Sequence, residues 1–205
     1  MIVIVNYGMG NLGSIVNMFK KAGHRAIISG DVTEIDRAEK LILPGVGAFD
    51  NGMKNLSELG LIEVLNKKVL TDKIPTLGLC LGLQLFSVTS EEGNLPGLGW
   101  MEVQTSRFHF NSVNEPLKVP HMGWNSIEIC QKHPLLSGLD DESRFYFVHS
   151  FHLQSLDASL VLAQTTYGYS FPSILGKDNL MGVQFHPEKS HKFGLQLLKN
   201  FAERF

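Results

Sequence analysis

Ile74-Pro75-Thr76-Leu77-Gly78-Leu79-Cys80-Leu81-Gly82-Leu83-Gln84-Leu85-Phe86 is the stretch on which the reading of this chain turns. An apolar run leads into a Gly-x-Cys-x-Gly turn, and helix-like sequence leads out. This is the pattern of a nucleophile elbow, in which a strand turns sharply into a helix and lifts one side chain clear of the sheet. The nucleophile position is strained, so its neighbours must lack a Cβ for the backbone to pass close by. Cys80 is therefore the candidate nucleophile, against the alternative of a buried core cysteine. The start of a helix favours a thiolate there. The Leu81 amide points where an oxyanion would form. Gln84, four residues on, shares a helix face with Cys80 and is placed to touch a substrate, or else is a solvated helix residue.

Outward from the elbow, the first half alternates strand and helix. Strands are expected at Ile2–Asn6, Arg25–Ser29, Lys40–Leu43 and Ile74–Leu79. Helices are expected at Asn11–Ala22, at Phe49 to about Lys73 with a break near Gly60, and from Leu81 to Val88, while Asp36–Lys40 reads as a short polar segment. Such alternation implies a parallel sheet covered by helices on both faces. After about Glu91 short strands take over, at Met101–Phe108, Lys118–Val119, Ser126–Cys130, Arg144–Phe151, Leu160–Thr166, Ser173–Lys177 and Leu180–Phe185. An amphipathic helix at Phe193–Glu203 follows. The expected fold is α/β, a mainly parallel sheet with an antiparallel extension.

A chain of 205 residues without repeats or a long linker reads as one domain, residues 1–205. A net charge of −2 gives no basis for nucleic-acid binding, and no run approaches the length of a membrane span. Met1–Asn6 reads as a strand rather than a signal peptide. Two cysteines 50 residues apart make no disulfide framework, so a cytoplasmic setting is expected. Cys130, without an elbow, reads as structural.

A cysteine nucleophile needs a base, and the base needs an orienting partner. Gly182-Val183-Gln184-Phe185-His186-Pro187-Glu188-Lys189 supplies both. His186 and Glu188 fall on one side of an extended backbone, and Pro187 favours that conformation. Pro44-Gly45-Val46-Gly47 offers a second oxyanion donor, although an ordinary strand–helix turn reads equally well there. Gly8-Met9-Gly10-Asn11-Leu12-Gly13, with Asp31 downstream, is formally a dinucleotide fingerprint, which keeps a nicotinamide enzyme as a rival. Val119–Asn125 suits either a protein-facing surface or core packing of Trp124. His149 and His152 are expected on opposite faces of a strand, so neither a metal nor another cofactor is expected.

Gly78–Gln84 and Gln184–Glu188 together resemble the two signatures of the class I, triad-type glutamine amidotransferases. Within that family the chain is similar to the glutaminase subunits of imidazole glycerol phosphate synthase. Asn6–Asn11, Leu43–Phe49, Pro120–Asn125, Tyr146–Ser150 and Glu188–Ser190 carry that likeness along nearly the whole chain. The resemblance implies a flavodoxin-like three-layer fold and hydrolysis of L-glutamine by Cys80, His186 and Glu188. It implies an oxyanion hole at Val46 and Leu81, and a glutamine pocket at Gly47, Gln84, Ser150 and Phe151. It also implies a synthase partner of the HisF type, a (βα)8 barrel, met by Tyr7, Asn11, Trp124, Asn125, Tyr146 and Lys189. That removes the dinucleotide reading of the glycine loop. Glu91–Trp100 and Lys118–Pro120 look closer to paralogues that feed ammonia to a sugar amidotransferase in surface-polysaccharide biosynthesis. The nicotinamide oxidoreductase and a catalytically silent scaffold stay as further rivals.

Overall fold

Three adjacent parallel strands deliver the chemistry of this chain to one edge of its sheet. The computed structural model describes residues 1–110 and 117–205. The first half runs β1 (Ile2–Val5), α1 (Leu12–Lys21), β2 (Ala26–Ser29), α2 (Val32–Asp36), β3 (Lys40–Leu43), α3 (Phe49–Glu58), α4 (Leu61–Asn66), β4 (Thr76–Leu79) and α5 (Leu81–Gln84). Short strands follow: β5 (Thr89–Ser90), β6 (Gln104–Arg107), β7 (His121–Ser126), β8 (Glu128–Ile129), β9 (Arg144–His149) and β10 (Phe151–Gln154). The chain then runs through β11 (Val161–Tyr167), β12 (Tyr169–Lys177) and β13 (Leu180–Val183) to α6 (His191–Arg204).

The main sheet has the order β2-β1-β3-β4-β13-β12-β11-β8. From β2 to β13 the neighbours are parallel, and from β13 to β8 they are antiparallel. Separate small sheets are formed by β10-β6-β5 and by β7-β9. The expected antiparallel extension is therefore present, and part of it leaves the main sheet.

Alternation along β1 shows why helices cover both faces. Val3 and Val5 pack into a core with Ile35, Leu41, Leu56 and Leu65. Ile2 and Ile4 pack into a second core with Ile15, Phe19, Leu197 and Phe201. Successive strand side chains point to opposite faces, so one buried strand feeds two cores. The result is three layers, with α1 and α6 on one face and α2, α3 and α4 on the other.

Four local expectations change. Val32–Asp36 is a helix, because the Asp31 carboxylate accepts the Glu34 amide and caps it. The helix after the elbow stops at Gln84 rather than Val88. There the Ser87 hydroxyl donates to the Gln84 carbonyl, and loop amides of Leu98, Met101 and Gly99 donate to the carbonyls of Leu85, Phe86 and Ser87. Lys118–Val119 is not a strand: pairing begins at His121 opposite His149, beyond Pro120, which has no amide proton to give. His149 and His152 are not on opposite faces of one strand. They fall on β9 and β10, and both rings lie against Phe108, at 5.2 and 4.7 Å.

Candidate active site

Cys80 follows β4 with φ 52° and ψ −108°, a conformation forced on a non-glycine residue. Its neighbours explain how the chain tolerates it. A Cβ on Gly82 would stand 1.8 Å from the Leu43 carbonyl oxygen, and one on Gly78 would stand 2.7 Å from the Leu83 amide nitrogen. Both positions accept only glycine. The Cys80 amide donates to the Val183 carbonyl on β13 at 2.8 Å, which ties the elbow to the strand that carries the base.

His186 lies just beyond β13, and its Nδ1 is 2.8 Å from Glu188 Oε1. The pairing is as expected but the backbone is not extended throughout: Pro187–Lys189 forms a 3-10 turn that folds Glu188 back under the ring. Both side chains are buried. Burial disfavours the imidazolium, but the charges of Cys80 and Glu188 outweigh it and raise the His186 pKa from 6.5 to about 10. Among the described residues, His186 Nε2 and Glu188 Oε2 are buried polar atoms without a hydrogen-bond partner. The free Nε2 is the atom that can serve a substrate.

Because β3 and β13 both flank β4, the Pro44–Gly47 turn and His186 stand on either side of Cys80. Gly45 has no room for a side chain: its Cβ would meet Leu81 Cβ and Tyr7 Oη, each at 2.7 Å. Gly47 has φ +124°, a glycine conformation. A cavity of about 240 Å³ opens over the sulfur, with Val46, Gly47, Leu81, Gln84, Ser150 and Phe151 on its wall. The expected oxyanion and pocket residues are therefore brought together. The helix that begins at Cys80 has only four residues, so its dipole is slight.

Three residues of the site escaped sequence reading. Glu92 reaches the cavity wall and accepts the Phe49 amide at 2.9 Å, and burial raises its pKa. Gln184 is fully buried and its Nε2 donates to Cys80 Sγ at 3.7 Å. His149 lines the cavity beside His186, and burial lowers its pKa to about 3. All three sit inside stretches the sequence singles out, Glu92 in Glu91–Trp100, Gln184 in Gln184–Glu188 and His149 in Tyr146–Ser150, but nothing in their spacing assigns them to the cavity.

Of the residues expected at a partner surface, Tyr7 is fully buried, which corrects that expectation for its side chain. Its hydroxyl donates to the Pro44 carbonyl, so it braces the oxyanion turn. Asn11 is exposed and caps α1. Trp124 is 47% exposed and Met122 62%, on one face of β7. Trp124 stacks on His191 at 5.3 Å, and the Lys189 ammonium lies 5.6 Å from the Tyr146 ring. Asn125, on the opposite face of β7, points inward to the Thr166 carbonyl.

The glycine loop at Gly8–Gly13 packs on the Pro44–Gly47 turn, with Met9 Cε 2.8 Å from where a Gly47 Cβ would stand. Asp31 is spent as a helix cap. Neither feature is set out for a dinucleotide. Cys130 is exposed rather than packed in the core. Among the described residues no group of three or more His, Cys, Asp or Glu is placed to hold a metal ion, and no helix is long and apolar enough to cross a membrane.

A parallel sheet with a cysteine elbow, a buried His–Glu pair and a facing glycine turn is the architecture of the class-I glutamine amidotransferases. That family matches residues 3–205, and the chain belongs to it. The chain is 52% identical to "Imidazole glycerol phosphate synthase subunit HisH 2" of Methanococcus maripaludis, over 100% of each chain. It is 49% identical to the protein of the same name from Pseudomonas aeruginosa, over 99% of each. A solved structure described as a glutamine amidotransferase shares the fold at a TM-score of 0.74 with 21% identity, covering 98% of this chain and 97% of its own.

Proposed function

We propose that residues 1–205 act as one glutaminase domain, the glutamine-hydrolysing subunit of imidazole glycerol phosphate synthase in histidine biosynthesis. The observation that carries the chemistry is the strained Cys80 with the buried His186–Glu188 pair beside it. The full-length likeness to the two HisH subunits carries the pathway.

Cys80 sulfur attacks the side-chain carbonyl carbon of L-glutamine, and a C–S bond forms. The carbonyl oxygen gains negative charge and is held by the amides of Leu81 and Val46. His186 gives its proton to the leaving nitrogen, the C–N bond breaks, and ammonia departs from a thioester. His186 then takes a proton from water, and the hydroxide attacks the thioester. The C–S bond breaks, glutamate leaves, and the thiolate–imidazolium pair is restored. Glu188 holds the ring throughout. Gly47, Gln84, Ser150 and Phe151 shape the pocket, and the Glu92 carboxylate at its wall suits the α-ammonium of glutamine. Ammonia passes to a HisF-type barrel docked against Asn11, Trp124, Tyr146 and Lys189. The setting proposed is the cytoplasm.

A second reading keeps the same chemistry with a different acceptor, a nucleotide-linked sugar on a sugar amidotransferase. Its support is the Glu91–Trp100 and Lys118–Pro120 stretches, which look closer to such paralogues. Glutamine hydrolysis is the decisive test, measured with the synthase present for wild type and Cys80→Ala. Ammonia release retained by the variant rules out the nucleophile. Co-purification with a HisF-type barrel or with a sugar amidotransferase decides the acceptor.

A further inference from the structure

Behind the pocket runs a line of polar side chains, buried except for the half-buried Asn125, whose shared hydrogen bonds the hydrolysis scheme does not use. It begins on the inner face of β7. The Asn125 amide nitrogen spends one proton on the Thr166 carbonyl at 3.0 Å and lies 3.3 Å from His121 Nε2. Its own oxygen accepts the Ser126 amide, so the NH2 group faces inward. His121 Nδ1 is 3.0 Å from His149 Nε2, and His149 Nδ1 is 2.7 Å from the Phe151 carbonyl oxygen. That same carbonyl accepts Gln84 Nε2 at 2.9 Å. Gln84 Nε2 also donates to Gln184 Oε1 at 3.1 Å, and Gln184 Nε2 donates to Cys80 Sγ at 3.7 Å.

The chemistry of these groups fixes the direction of every proton. A carbonyl only accepts, so His149 Nδ1 carries the hydrogen. A neutral ring then has a bare Nε2, which requires a hydrogen on His121 Nδ1. His121 Nε2 is thus bare and takes the Asn125 proton. Gln84 spends both amide protons inside the protein, leaving only its carbonyl oxygen for a ligand. Gln184, whose oxygen is occupied by Gln84, has its NH2 turned to the sulfur. Burial holds both histidines neutral, with pKa values lowered to about 4 for His121 and about 3 for His149. His121 is walled by Tyr167, Phe147, Phe108 and Phe171, and His149 by Phe108, Phe147 and Phe171. The arrangement therefore stays in one tautomeric state around neutral pH.

We propose that this ordered line, Asn125–His121–His149–Phe151–Gln84–Gln184, ends on the Cys80 sulfur and sets how that sulfur is presented for attack. Gln184 stabilises the thiolate directly and is a catalytic residue. His121 and His149 are positioning residues that hold the Phe151 carbonyl, and through it Gln84 and Gln184. The catalytic part rests on the glutaminase reading, whereas the effect on the sulfur does not. The line also gives β7, which carries Trp124 on its outer face, a hydrogen-bonded connection to the nucleophile.

The test is the pH dependence of Cys80 alkylation by iodoacetamide, in a Cys130→Ser background so that only one thiol reacts, joined to glutamine hydrolysis with the synthase. Gln184→Leu is expected to move the alkylation midpoint up by about one pH unit. It is expected to lower kcat about tenfold, with KM changed less than about twofold. Gln184→Glu, nearly isosteric and therefore the safer fold, moves the midpoint further in the same direction. His121→Leu moves it up by less, and His121→Asn, which keeps a donor near the Nδ1 position, returns it to wild type. A Gln184→Leu midpoint that matches wild type, or His121→Leu and His121→Asn profiles that coincide, overturns the proposal. No glutamine hydrolysis by the wild-type pair, with the alkylation differences intact, overturns the glutaminase reading and leaves the line standing.

Discussion

His186 Nδ1 meets Glu188 Oε1 at 2.8 Å across a single 3-10 turn, with both side chains buried. Loss of the carboxylate charge weakens the acceptor that orients the buried imidazole and lowers its raised pKa. Glu188→Gln keeps the shape and loses the charge. It is expected to reduce kcat by on the order of a hundredfold or more, with KM nearly unchanged. Steady-state glutaminase kinetics with the synthase, and NMR titration of His186, measure the two effects.

Tyr7 braces the Pro44–Gly47 turn through its hydroxyl. Tyr7→Phe leaves the Pro44 carbonyl without that donor while preserving the packed ring. Glutaminase activity is expected to fall about fivefold, in line with one lost neutral hydrogen bond. The thermal midpoint is expected to drop by only a few degrees, on the order of what such a bond contributes. Paired activity and melting measurements separate loosening of the turn from loss of fold.

Gly82→Ala places a Cβ 1.8 Å from the Leu43 carbonyl oxygen, and backbone cannot move aside as a side chain would. The substitution is expected to destabilise the fold by about 3 kcal/mol or more. Urea unfolding gives the figure directly.

Stability is expected to decline as the pH falls from about 6.5 towards about 4, and part of that slope belongs to His121. Its pKa is lowered from 6.5 to about 4 by burial. In that window the unfolded chain binds a proton that the folded chain refuses, so unfolding is favoured as the pH drops. The contribution is fully present above 6.5. His121→Asn does not titrate there, and its urea midpoint is expected to change less than that of wild type between pH 7 and pH 4.5.

Trp124 and Met122 leave an exposed apolar face on β7, next to the Lys189–Tyr146 pair. Trp124→Ala is expected to weaken association with the synthase by about tenfold or more, as for a central aromatic anchor. Calorimetric titration of one subunit into the other reads the change. The cavity over the sulfur is not lined by Trp124, so alkylation of Cys80 in the isolated subunit should stay as in wild type.

Much of this protein is local and therefore legible in its sequence. The elbow needs glycines at two positions beside a cysteine, and they stand at Gly78 and Gly82. The His186–Glu188 pair is two residues apart and needs only one turn. The β-α alternation of the first half is set by the periods of apolar residues, which each element carries within itself. The short helix at Val32–Asp36 has only five residues, too few to carry a legible apolar period. Past Gln84, Leu85 and Phe86 continue the helical period of apolar residues although the helix has ended. Their carbonyls are instead taken by amides of the later Leu98–Met101 loop.

What the chain order alone determined is the set of reactive groups: a nucleophile, a base with its carboxylate, and a glycine turn. Which of them meet was decided by strand order, because only adjacency of β3, β4 and β13 brings residues near 45, 80 and 186 to one edge. The same is true of the polar line behind the pocket. His121 and Asn125 come from β7, His149 from β9, Gln84 from α5 and Gln184 from just beyond β13, and a hydrogen bond between them depends on a distance that sequence spacing does not encode. Tyr7 makes the point in reverse: the resemblance places it at the partner surface, and the packing of its loop on Pro44–Gly47 buries its side chain.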